Sequence, residues 1–93
     1  MRSEAAVSRI EKLLLAAREG RMTNFSDLII LTEALGFVRS TAPKRGSHHF
    51  KYKYPGWNGF LNYQILPGGQ VKKYQVRQLM KAVESLNLTI DPE

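Results

Sequence analysis

The apolar residues of this chain recur at two different intervals, and the place where the interval changes decides which folds are open to it. From Ser3 to about Glu19, Val7, Ile10, Leu13, Leu14 and Ala17 fall at helical spacing, and Gly20 offers a left-handed stop. A second helix is predicted to begin at Asn24 or Ser26, since either side chain can accept from a free backbone N–H; with Ser26 as the cap, Phe25 would pack on Ile30. Leu28, Leu31 and Leu35 form its buried stripe, and Gly36 ends it.

Beyond Gly36 the interval falls to two. Phe37 to Ser40 reads as a short strand, and Thr41 to Ser47 as a turn or loop. In the next strand, His48 to Tyr54, alternation puts His48, Phe50, Tyr52 and Tyr54 on one face and His49, Lys51 and Lys53 on the other. Pro55 to Gly59 connects to a third strand near Phe60 to Leu66, most simply as an antiparallel hairpin. After Pro67-Gly68-Gly69, a last helix from about Lys73 to Leu86 carries Val76, Leu79, Met80, Val83 and Leu86 as its apolar stripe. Lys73, Arg77 and Lys81 recur at four-residue steps on its polar flank. The expected fold class is α+β: a three-stranded antiparallel sheet with helices packed on one face, in the order α-α-β-β-β-α. One domain over residues 1–93 is expected, with a helical extension over 1–22 and a core over 24–88.

Charge narrows the partners. Between Glu33 and Glu84 there are nine bases and no acid, whereas the rest of the chain holds five bases and eight acids. A field this one-sided draws in polyanions. The bases do not lie on one long amphipathic helix, so attachment to a membrane surface is not expected. There is no cysteine and no apolar run of the roughly 20 residues that span a bilayer, which suits a protein of the reducing cytoplasm.

The residues Leu35-Gly36-Phe37, Gly46-Ser47-His48-His49-Phe50, Leu61-Asn62 and Tyr74-Gln75-Val76-Arg77-Gln78, in that order over residues 24–88, resemble the HicA (YcfA-like) toxin family. The resemblance implies a fold like the double-stranded RNA-binding domain. It also implies a ribosome-independent mRNA interferase, neutralised by a HicB-like antitoxin as partner. It makes the histidine after Gly-Ser, here His48, the catalytic one. Two departures stand out: Leu66-Pro67-Gly68-Gly69 occupies a position where many compact members have a Pro-x-His segment, and residues 3–19 form a helix that the smallest members lack. That helix either extends the core or meets a partner.

The chemistry stands apart from the resemblance. Cutting RNA without a metal needs a proton taken from the 2′-hydroxyl, an anionic phosphorane stabilised, and a proton given to the leaving oxygen. Histidine suits the proton steps because its ordinary pKa lies near 6.5, and fixed cations suit the middle step. Neighbouring strand residues point to opposite faces, so one histidine is expected to do the proton work. Alternation favours His49, which shares its face with the lysines; the resemblance favours His48. Lys44, Arg45, Gly46, Ser47, Lys51, Lys53, Lys73 and Arg77 are the expected RNA-binding residues, with Tyr52 a weaker second proton carrier and Trp57 a loop contact. Most other aromatic residues belong to the core by alternation. No metal site and no cofactor are expected, because no cysteine or acid lies near the histidines and adjacent strand residues diverge too far to chelate one ion. A serine nucleophile lacks an acid to orient its histidine. The alternative to the nuclease is a non-catalytic RNA-binding module using the same bases; a third reading is a protein-binding domain without salt-dependent RNA affinity.

Overall fold

The computed structural model describes residues 4–40 and 49–88, with side chains from 9–40 and 50–88. The elements follow the expected order: α1 (Glu4–Arg18), α2 (Phe25–Ala34), β1 (Val38–Arg39), β2 (His49–Lys53), β3 (Leu61–Gln64), a 3-10 turn (Pro67–Gly69) and α3 (Lys73–Leu86). The strands form one antiparallel sheet in the order β1-β2-β3.

Asn24, not Ser26, caps α2: its Oδ1 accepts from the Ser26 N–H at 2.8 Å, and the helix starts at Phe25. Phe25 is thereby part of the helix and turns inward, its ring against Phe50 and Tyr63. Leu28, Leu31 and Leu35 are buried as the spacing requires. Gly36 ends the helix with φ of +104° and sits 3.2 Å, measured from the place of a Cβ, from the Tyr54 ring. The helix α1 extends the core: Leu14 and Ala17 are buried in the same apolar cluster as Leu79 and Val83, and α1 packs on both α2 and α3.

Alternation decides the two faces of the sheet. Tyr52, Leu61 and Tyr63 are buried against the helices, whereas Lys51, Lys53, Asn62 and Gln64 are exposed on the other side. The inner face carries one buried polar relay. Thr32 Oγ1 donates to the Leu28 carbonyl at 2.7 Å, so the Tyr63 hydroxyl, 2.8 Å away, donates to Thr32. Each buried oxygen thus keeps a partner, as interiors require.

A helix takes the place of a fourth strand. Gln78 on α3 accepts from the Asn62 N–H at 3.0 Å and donates to the Asn62 carbonyl at 3.1 Å, as a neighbouring strand would. One turn earlier, Gln75 donates to the Gln64 carbonyl at 2.9 Å. Gln75 is fully buried, which helical spacing alone does not foretell, and its Oε1 has no partner among the described residues.

Trp57 folds back on the core, its ring 5.9 Å from that of Phe37, rather than standing out as a loop contact. Gly59 makes this possible, because a Cβ there would lie 2.6 Å from the indole Cζ2. Gly59→Ala is therefore expected to lower stability by about 1–3 kcal/mol, the usual range for overpacking. Urea unfolding checks this; an unchanged midpoint would show that the indole yields freely.

Candidate nucleic-acid interface

The open face of the sheet is the side that a polyanion can reach. Lys51 and Lys53 stand on it because they alternate with the buried Tyr52, and the register places Lys51 opposite Asn62 and Lys53 opposite Val38. Val38 is 61% exposed, so among the described residues no helix covers this side of β1. Phe60 precedes buried Leu61 and so turns outward, 51% exposed, with the Lys51 ammonium 4.8 Å from its ring centre. A lysine over an aromatic face gains a modest cation–π attraction and is held close to the sheet. The result is a flat surface with two cations and one accessible ring.

Of the two histidines, His49 opens β2 with its backbone opposite Gln64. Its side chain, His48, and the expected RNA-binding residues Lys44, Arg45, Gly46 and Ser47 lie outside the described residues. What the structure adds is direction: β2 runs from His49 straight into Lys51 and Lys53, so the segment carrying the histidines joins the basic face at one end of the strand.

The other two expected RNA-binding residues sit elsewhere. Lys73 and Arg77 line a cleft between α3 and the end of α1, on the side of the helices away from the sheet. Gln75 and Gln78 fix this by tying the opposite flank of α3 to β3, which sets the rotation of the helix. The structure thus separates Lys73 and Arg77 from Lys51 and Lys53. The residues of α3 nearer the open face are Tyr74 and Lys81, both exposed, four before and three after Gln78 on one strip of the helix. Neither is among the expected binding residues, and only the pairing of Gln78 with Asn62 shows that they lie nearer the sheet than Arg77 does. Phe60 was readable, since it shares the parity of Asn62 and Gln64.

One further side chain leaves the candidate set for a physical reason. Tyr52 is 1% exposed, and its hydroxyl donates to Glu33 Oε2 at 2.9 Å. Burial, then the carboxylate of Glu33, push its pKa up to about 12, so it holds its proton and cannot reach a substrate. Arg39, opposite Tyr52 in the register, stays exposed but lays its guanidinium 4.3 Å from the centre of the Phe50 ring. Its charge covers an edge of the core instead of adding to the lysine face. Among the described residues no three histidine, cysteine, aspartate or glutamate side chains cluster as metal ligands do, and no helix is long and apolar enough to cross a membrane. Among protein-family models, curated proteins and solved structures, none matches this chain.

Proposed function

We propose that this protein is an RNA-directed toxin of the HicA type: a metal-independent endoribonuclease of the cytoplasm that cuts mRNA with a histidine, His48 or His49, as general acid and base, and that a HicB-like antitoxin neutralises. The observation that carries the RNA-directed part is the uncovered sheet face, where Lys51 and Lys53 stand beside the accessible ring of Phe60. Phosphates meet the lysines, and a base can lie against the ring, the combination by which single strands are held. The cleavage part is supported by the ordered resemblance around Gly46-Ser47-His48-His49 and by the run of β2 from the histidines into that face. An antitoxin that covers this surface is acidic where it meets Lys51 and Lys53, and its affinity falls as salt rises.

A second reading, a non-catalytic RNA-binding module, draws on the burial of Tyr52, which leaves a single imidazole to move both protons. Incubating purified protein with single-stranded RNA in chelator across a range of pH separates the two. Cutting that follows one ionisation near neutrality supports the nuclease; binding without cutting supports the module. No salt-dependent affinity for RNA would remove both readings.

The same assay locates the footprint. Replacing Lys51 and Lys53 together by alanine is expected to reduce the slope of log affinity against log salt by about 1.4, roughly 0.7 for each phosphate on a single strand that a lysine no longer neutralises. The Lys73→Ala, Arg77→Ala double variant is expected to change that slope far less. Equal losses of slope from both pairs would mean that RNA wraps around α3.

A further inference from the structure

The cleft between α1 and α3 has a composition that nucleic-acid binding does not explain. Its floor is apolar: Ala17, Met22 and Val76 are buried there, and Met80 is partly so. Its rim carries Arg18 from the end of α1 and Lys73 and Arg77 from α3, all exposed. Among the described residues none of these three cations has an ion-pair partner, and nearby Glu19 is already bound to Arg21 at 2.6 Å.

The start of α3 reinforces the charge. Lys72 is its N-cap and gives no side-chain cap, and the first turn holds no acid. Lysines at this end of a helix oppose its dipole, where an acid would be stabilising. A chain that keeps Lys72 and Lys73 there sacrifices local stability, a pattern more typical of binding surfaces than of structural ones.

Size and polarity then choose the occupant. The cleft encloses 190 Å³, below the roughly 300–1,000 Å³ of pockets for cofactors and drug-sized ligands. It suits one bulky side chain, the way a partner protein anchors itself. A nucleobase fits less well, because those of its polar edges that reach the floor meet methionine, valine and alanine, and only the rim cations can pair with the rest. Methionine is the adaptable lining found where surfaces accept varied apolar side chains.

We infer that the α1–α3 cleft is a docking site for an acidic segment of a partner protein, which inserts one aliphatic side chain over Met22 and Met80 and sets carboxylates on Arg18, Lys73 and Arg77. The site lies on the helix side of the fold and does not depend on the open sheet face or its histidines. A partner bound here leaves Lys51 and Lys53 uncovered.

The methionines supply a direct readout. Two of the three in the chain, Met22 and Met80, line the cleft, so methyl-labelled methionine gives few NMR signals and most of them report on the site. The probe is a short synthetic peptide with one leucine flanked on both sides by glutamates. Saturable shifts of the Met22 and Met80 methyl signals are expected, weaker by about tenfold in Arg77→Glu and reduced further as salt is raised. Replacing the leucine of the peptide by alanine is expected to abolish the shifts at the same concentration. Equal binding of the alanine peptide, or no methyl shift at millimolar leucine peptide, overturns the proposal. Shifts of the same methyls by an RNA oligonucleotide but not by the peptide overturn it in favour of nucleic acid. An amide spectrum of Arg77→Glu that matches the parent confirms that the loss is local; Arg18→Glu, on the other wall, is the second variant should it not.

Discussion

His48→Ala is expected to reduce RNA cleavage by about 10²–10⁴-fold, the usual contribution of a positioned general acid and base, while the circular dichroism and unfolding midpoint stay those of the parent. His49→Ala, made in parallel, is expected to fall far less. The contrast is informative because neighbouring residues of an extended chain point to opposite sides, so the two histidines are not expected to substitute for each other. The residual rate should keep no ionisation near neutrality once the functional imidazole is gone. A folded His48→Ala protein that cleaves at the parental rate removes that residue from the site, and a loss confined to His49→Ala moves the chemistry to the face of Lys51 and Lys53. If neither variant loses activity, the RNA-binding module is the better description.

Alkali is expected to unfold this protein between pH 10 and about 12. Tyr52 and Tyr63 are both buried on the inner face of the sheet, their rings 5.8 Å apart. Burial is the first cause that raises both pKa values, that of Tyr52 to about 12 and that of Tyr63 upward as well. The folded chain therefore holds both phenolic protons at a pH where the unfolded chain, with its ordinary value near 10, releases them. Below pH 10 the two states bind these protons alike and the stabilisation is complete. Above it the unfolded state binds fewer, and stability falls with each further rise until the folded-state values are passed. Tyrosinate absorbance from this pair should appear together with loss of helical ellipticity, and Tyr52→Phe should delay the transition to higher pH. Smooth titration of all four tyrosines near pH 10 with the helices intact would contradict the buried geometry.

The elements were legible because each carries its own period. The α3 boundaries, Lys73 and Leu86, follow from the apolar stripe and the Pro67-Gly68-Gly69 break, and the inner and outer faces of β2 and β3 follow from alternation. The start of α2 stays open between two caps in the sequence, because Asn24 and Ser26 offer similar side-chain oxygens and only the backbone path of Phe25 separates them. The rotation of α3 was not legible. Its glutamines look like ordinary solvated residues until Asn62 and Gln64 of β3 are brought alongside, and the facing of Lys73 and Arg77 depends on that pairing. Periodicity gives a helix its stripe; it does not say what the neighbouring strip touches. The Tyr52–Glu33 hydrogen bond was hidden for the same reason, since it joins residues 19 apart in sequence.

Main chain that lacks a neighbour invites another copy to zip alongside, and a molecule open on both flanks can polymerise without end. Here the far flank is shut by two carboxamides from α3, leaving among the described residues only the short Val38–Arg39 flank for such zipping. Strand pairing through that flank alone would therefore end at two molecules and could not build a fibre.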